Sequence, residues 1–277
     1  MNFGIRIRVE KGGEEEVYKC PKCRRPKFYV NFKKAKAHCF WCSYRVRLPR
    51  MLKNAVRSIL PRSGEPELKP LTEADLPGRV SNLTPAFKFL HERGVDWEWA
   101  ESQFWCSGLT GRWAGRLIIP IREGGRTYSW VARVINGQEP KELHGPNTSK
   151  FLYGYDQIRE DRPNGVEYVI LVEGIFDQIH LSQMGYPALA LMGSHISDAQ
   201  IGKLLKLKPS RVILMLDGDE AGREATDGYK GKSGAWVPGV AERLGKRMNP
   251  LNVDKIYLPE GKDPDDLTRA ELEGLLK

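Results

Sequence analysis

Three stretches set carboxylates where apolar runs end. VEGIFD holds Glu173 and, one helical turn on, Asp177; LDGDEAG holds Asp217 and Asp219; GKDPDD holds Asp263, Asp265 and Asp266. Gathered acids repel one another, so such a cluster costs stability unless cations neutralise it. Oxygen ligands without a rigid cage suit magnesium or manganese, which keep water and bridge to substrate phosphates. One acid at a strand end is ordinarily a cap; acids at three strand ends point to a site. A second ligand set lies upstream in CPKC and CFWC, where Cys20, Cys23, Cys39 and Cys42 follow the pattern C-x2-C, fifteen residues, C-x2-C. Two such knuckles complete the tetrahedral thiolate shell of one structural zinc. Disulfides are the competing reading, which no secretory leader supports. Cys106 reads as a lone reduced core thiol.

The elements that must position the acids follow from the pattern after Glu167. YVILVEG, YPALALMG, RVILMLDGDEAG and DKIYLPEG read as strands. Between the first three lie the helices IFDQIHLSQMG, stopped by Gly185, and SDAQIGKLLKL, with a Ser197 and Gln200 capping box. Apolar strands joined by helices predict a parallel sheet covered on both faces, with its chemistry at the carboxyl ends. Upstream, FKFLHERGVDWEWAESQF predicts a helical region broken at Gly94, and GRLIIPI and RTYSWVARVI predict strands paired around Glu123 to Gly125. The stretch 60–78, with four prolines and two glycines, reads as a tether. The expected fold is therefore α/β, or α+β overall: a zinc ribbon over 1–59, a linker over 60–78, a mixed subdomain over 79–165 and a parallel-sheet domain over 166–277.

Charge separates these parts. Residues 1 to 60 carry 16 Lys and Arg against 4 Asp and Glu, and the remainder carries 28 against 31. One basic module facing a polyanion has this asymmetry. Lys33, Lys34 and Lys36 follow the alternation FYVNF, and Phe40, Trp41, Tyr44, Arg45 and Arg47 gather at the second knuckle. Cations neutralise phosphates and flat rings stack on unpaired bases, so Lys33, Lys34, Trp41 and Tyr44 are candidates for binding single-stranded nucleic acid. Phe28 and Val30 are expected to fill the small core. The aliphatic runs are of strand length, which predicts a soluble, cytoplasmic protein with no membrane partner.

VEGIFD, LDGDEAG and PEGKDPDD resemble the three signatures of the TOPRIM domain. With GRLIIPI, VARVI, PKEL and SKFLYG ahead of them, and CPKC, FYVNF and HCFWC at the start, the chain is similar to DnaG-type DNA primases of compact, phage-like form. The resemblance implies that Glu173 acts at the reacting nucleotide as general base or metal ligand, and that Asp217 and Asp219 hold divalent ions. Asp177, Asp263 and Asp265 would assist, and Arg116, Arg133, Lys141 and Lys150 would line the template and nucleotide groove. Asp266, outside the motif, reads as a cap for the last helix beside a Thr268 and Glu271 capping box. The implied reaction joins nucleoside triphosphates into RNA primers on single-stranded DNA, a 3′-hydroxyl attacking an α-phosphate and expelling pyrophosphate. The zinc module would recognise the template, its tether raising its effective concentration at the catalytic domain. The resemblance leaves room for a replicative helicase in trans, and for a host cytoplasm if the protein is phage-encoded.

The chain departs from the family at GYKGKSGAWVPG, Gly228 to Gly239, an insertion carrying Lys230 and Lys232. Its GKS is not a P-loop, because Thr226 stands at the first glycine position and no strand leads in. The remaining readings are a loop touching nucleotide or template, and an idle surface insertion. A TOPRIM nuclease and a noncatalytic single-strand binding module are the alternative functions. A topoisomerase would need a tyrosine domain for which the chain has no room.

Overall fold

The computed structural model describes residues 6–10, 15–18, 20–25, 27–31, 36–47, 68–77, 79–80, 82–107, 110–247 and 252–276. Two compact units divide the chain: Met1–Glu65 with Arg247–Asn249, and Pro66–Lys246 with Pro250–Lys277. Lys33, Lys34 and the stretch 60–67 lie outside the described residues. Among the described residues no helix is long and apolar enough to cross a membrane.

The first unit is an antiparallel sheet of strands β1 (Arg6–Glu10), β2 (Glu15–Tyr18), β3 (Phe28–Asn31), β4 (Lys36–Cys39) and β5 (Arg45–Arg47), paired in sequence order. Alternation along β3 sends Phe28 and Val30 inward, where they meet Ala37, Cys20 and Cys39. That cluster is small, and a bound metal would supply what so few apolar side chains cannot.

The second unit begins with a segment read from sequence as tether, yet 68–77 is packed. The Leu71 amide donates to the Thr127 carbonyl at 2.8 Å, and Leu71 and Leu76 lie against Trp105, Ile118 and Trp130. Leucines spaced among the prolines find apolar surface to bury, which outweighs the local flexibility. Next come β6 (Arg79–Val80), α1 (Phe87–His91), α2 (Trp97–Gln103), β7 (Trp105–Ser107), β8 (Arg116–Glu123), β9 (Arg126–Val134), β10 (Glu142–His144) and α3 (Tyr155–Asp161). The strands form one antiparallel sheet in the order β10-β9-β8-β7-β6. The expected β8–β9 hairpin turns at Gly124 and Gly125, both in the left-handed region at φ 59° and 73°, which side chains disfavour.

The remaining elements are β11 (Tyr168–Val172), α4 (Ile175–Gln183), β12 (Ala188–Ala190), α5 (Asp198–Leu207), β13 (Arg211–Leu214), α6 (Glu220–Asp227), the hairpin β14 (Gly228–Lys230) and β15 (Trp236–Pro238), α7 (Val240–Arg247), β16 (Asn252–Lys255) and α8 (Arg269–Leu275). β12, β11, β13 and β16 lie side by side, all parallel. Val169, Ile170, Leu171 and Val172 of β11 are wholly buried, as a strand covered on both faces must be. The capping box at α5 forms: Gln200 N donates to Ser197 Oγ at 3.1 Å and Ser197 N to Gln200 Oε1 at 2.8 Å. Ile119, Ile121 and Val131 of the antiparallel sheet share one apolar cluster with Ile175, Phe176 and Ile179 of α4. Residues 79–165 and the parallel sheet are thus joined by a common core, which fixes β9 and α1 beside the carboxyl end of β11.

Candidate metal centres

In the first unit the two knuckles bring four sulfurs together. Cys20 Sγ lies 3.7 Å from Cys42 Sγ and Cys23 Sγ lies 3.6 Å from Cys39 Sγ, all four within 4.8 Å of one another. A zinc–sulfur bond of about 2.3 Å puts tetrahedral sulfurs ~3.8 Å apart, so the donor set fits zinc. The knuckle turns are closed by backbone bonds, Arg24 N to Cys20 O at 2.8 Å and Cys39 N to Tyr44 O at 2.8 Å. Burial raises the Cys39 thiol, but the amides of Cys42 and Trp41 outweigh it and lower Cys39, while, against the Tyr44 amide, burial and the neighbouring sulfurs raise Cys42, so the four sulfurs share their protons as a set. Around this centre Phe40 and Trp41 are exposed, and the Arg25 guanidinium lies 3.6 Å over the Trp41 ring. Tyr44 behaves otherwise: it stacks on Phe28 at 6.1 Å and packs against the core, so its ring is a core wall rather than a free platform.

In the second unit three strand ends deliver the acids. Glu173 follows β11 directly. Asp177, one turn into α4, is buried; its Oδ2 accepts from Gly174 N at 2.9 Å and its Oδ1 from Asp265 N at 3.3 Å, tying the first signature to the last. Gly218 N donates to Lys262 O at 2.9 Å, pinning the DGD turn to the same acid-rich loop. A Cβ on Gly218 would lie 2.3 Å from Pro259 O, and one on Gly222 2.1 Å from Asp217 O, so this turn admits only glycine there. Asp219 caps α6, its Oδ1 accepting from Gly222 N at 2.8 Å. Asp266 does not cap the last helix. Its Oδ2 accepts from Asp263 N at 3.0 Å and closes the turn Pro264–Asp266, while Thr268 and Glu271 cap α8 as expected.

The acids strain one another electrostatically. Burial, then Glu173, Asp263 and Asp219, push Asp217 up to about 7. Burial, then Asp219 and Asp263, raise Glu173; burial, then Asp217 and Asp265, hold Asp177 well above the usual carboxylate range. Asp263 is raised by burial and by Asp265 and Asp266. Asp217 Oδ1 is buried with no partner in the protein. An orphaned carboxylate oxygen amid like charges fits a divalent cation.

Opposite charge lines the same cleft, which encloses about 1010 Å³ between Glu173, Asp177, Asp217, Asp263 and Asp265 and the cations Arg93, Arg133 and Lys141. Arg133 donates to Glu142 Oε1 at 2.9 Å. The Arg93 guanidinium lies 3.9 Å from the Phe89 ring centre and 5.6 Å from that of Phe176, and Arg133 lies 5.9 and 6.0 Å from the same two rings. Two residues expected in the groove stand elsewhere. Arg116 is buried, with Nη1 and Nη2 donating to the carbonyls of Ala132 at 3.0 Å and Pro140 at 2.8 Å, so it braces the sheet. Lys150 ends the turn Thr148–Lys150 and does not line the cleft. Arg93 and Glu142 were not legible as site residues. Arg93 follows a short helix, and only the packing of Phe89 on Phe176 brings it to the cleft.

Residues 170–268, which span all three acid signatures, match the family model described as Toprim-like. A DNA primase of Pseudomonas putida is 35% identical over 167 residues, covering 58% of this chain and 24% of that protein. The chain thus carries a Toprim-like segment and is similar to DNA primases. It shares its fold with the zinc-binding and RNA polymerase domains of Aquifex aeolicus primase (TM-score 0.53, 21% identity, 98% of this chain and 80% of that one). A DnaG primase catalytic domain bound to ssDNA is similar too (TM-score 0.55, 23% identity, 70% and 71% of the two chains). The chain spans about a quarter of the length of the Pseudomonas putida primase.

Two measurements test these centres. Elemental analysis of natively purified protein is expected to give about one zinc per chain, falling with loss of first-unit circular dichroism in Cys39→Ser; zinc-free wild type would contradict the thiolate site. Asp217 titrates higher folded than unfolded, so metal-free stability falls as pH rises from about 4 to about 7 and the loss is complete above that. Asp217→Asn should therefore raise the melting temperature of chelated protein at pH 8, by roughly 2–4 °C for each kcal/mol released, and shrink the rise that manganese gives wild type. A lower melting temperature in chelator would contradict the repulsion.

Proposed function

We propose that the chain is a DNA primase, a nucleotidyltransferase that makes short RNA primers on single-stranded DNA. The observation that carries this reading is the cleft in which an acid cluster with an orphaned oxygen faces Arg93, Arg133 and Lys141. Such a cleft suits a substrate that brings both phosphate charge and hard cations. Asp217, Asp219 and Glu173 would hold magnesium or manganese, with Asp177, Asp263 and Asp265 fixing them in place. When bound, the ions neutralise the phosphates and the charge that develops on the attacking and leaving oxygens.

The chain's own side chains do the rest. Arg93, Arg133 and Lys141 hold triphosphate oxygens through charge-assisted hydrogen bonds, and Phe89 and Phe176 back the two guanidiniums. The 3′-hydroxyl of one nucleotide attacks the α-phosphorus of the next, the bond to the β-phosphate oxygen breaks, and pyrophosphate leaves. Glu173, at the end of β11, would take the hydroxyl proton or hold an ion beside it. In the first unit Trp41, Phe40 and Arg25 offer rings and charge to unpaired template bases, and Lys33 and Lys34 would add phosphate contacts. The ssDNA bound by the similar catalytic domain agrees with such a template. A replicative helicase would act in trans, and the setting would be the cytoplasm.

The test is incubation with single-stranded DNA, labelled ribonucleoside triphosphates and manganese or magnesium. Template-dependent oligoribonucleotides, absent with Asp217→Ala, are expected. Shortened DNA would instead mark a nuclease, and binding without either product a noncatalytic module. Arg93→Ala should raise KM for the nucleotide roughly 10- to 100-fold, the range for a lost charged hydrogen bond, with kcat changed less. An unchanged KM would remove Arg93 from the nucleotide site.

A further inference from the structure

The insertion that interrupts the helix after LDGDEAG is the β14–β15 hairpin, set between Asp227 at the end of α6 and the start of α7. Residues Gly228 to Gly239 contain two lysines and no acid. Lys230 pairs with Trp236 across the hairpin, so the two side chains leave the same face. Trp236 is 54% exposed, yet it is held firmly. Its Nε1 donates to Glu242 Oε2 at 2.8 Å, and its ring lies across Gly228, where a Cβ would come 2.7 Å from Cζ2. The indole N–H is used, one ring atom sits against the Gly228 backbone, and about half of the residue remains open to solvent.

Tyr257, just beyond β16, repeats the arrangement at the root of the hairpin: it is 46% exposed and its hydroxyl donates to Asp227 Oδ1 at 2.8 Å. Both anchoring acids are neutralised locally, Glu242 by Lys246 and Asp227 by Lys255 at 2.6 Å. Among the described residues Lys230 and Lys232 have no partner, and they are the hairpin's uncompensated charges. A protein partner's apolar surface would leave these lysines unpaired. A strand of unpaired bases satisfies both features, because bases stack on rings and phosphates take the cations.

We propose that the β14–β15 hairpin is a contact for single-stranded DNA distinct from the acid cleft, Trp236 and Tyr257 stacking on bases while Lys230 and Lys232 neutralise phosphates. The hairpin stands one helix length from Asp219, ~12 Å along α6 at 1.5 Å per residue. The proposal takes its partner class from the primase reading, not its catalysis.

Anisotropy of labelled oligo(dT) with the full chain tests it. Trp236→Ala is expected to weaken binding roughly 5- to 150-fold, the range for one lost stacked base, and Trp236→Phe to retain most of the affinity. Lys230→Gln with Lys232→Gln should flatten the slope of log affinity against log salt by about 1.4. Iododeoxyuridine in the oligonucleotide should crosslink to Trp236, and the manganese-induced rise in melting temperature should stay that of wild type. Wild-type affinity and slope in the variants, no oligo(dT) binding by wild type, or loss of duplex binding alone would each overturn the hairpin contact. A wild type that crosslinks through Trp236 and makes no oligoribonucleotides would sink the primase reading and leave this one standing.

Discussion

Like-charge repulsion among carboxylates is the constraint on which the second unit turns. A parallel sheet sends successive strands the same way, so β11 and β13 place Glu173 and Asp217 at one edge. The loop before α8 then adds Asp263 and Asp265, locked in by the hydrogen bonds that Asp265 N donates to Asp177 Oδ1 and Gly218 N donates to Lys262 O. Among the described residues nothing fully relieves this arrangement, and Asp217 Oδ1 stays buried and unpartnered. The fold holds the acids where relaxation would separate them, and the stability for doing so comes from the aliphatic strands beneath and from the core shared with the antiparallel sheet.

The first unit solves a related problem with softer ligands. Four sulfurs drawn within 4.8 Å would be poorly accommodated as thiolates alone, and a zinc ion held by Cys20, Cys23, Cys39 and Cys42 would turn them into a core. Phe40, Trp41 and Arg25 are then left for the surface. The hairpin of the second unit reaches a similar surface by another route, seating Trp236 on a glycine and tying its N–H to Glu242.

Much of this was legible in the sequence because it depends on local pattern. Apolar runs ending in acids give the parallel sheet, Ser197 and Gln200 give the start of α5, and paired C-x2-C knuckles give the sulfur cluster. What was not legible depends on contacts between distant segments. Arg116 looks like any basic residue before a strand, and only the carbonyls of Ala132 and Pro140 make it a brace. Arg93 enters the cleft because Phe89 packs on Phe176, far along the chain. Leu71 and Leu76 turn the end of an apparent tether into packed structure, since composition reports flexibility but not the surface available for burial. Tyr44 reads as a free ring until Phe28 is seen beneath it.

The acid cluster is proposed as a site for divalent cations, even though Asp219 and Asp177 also close the starts of α6 and α4. Anomalous scattering from manganese-soaked crystals tests it most directly. A peak is expected within coordination distance of Asp217 Oδ1, with further ligands from Glu173 or Asp219. An Asp217 carboxylate bonded only to water or to a protein donor at saturating manganese would contradict it.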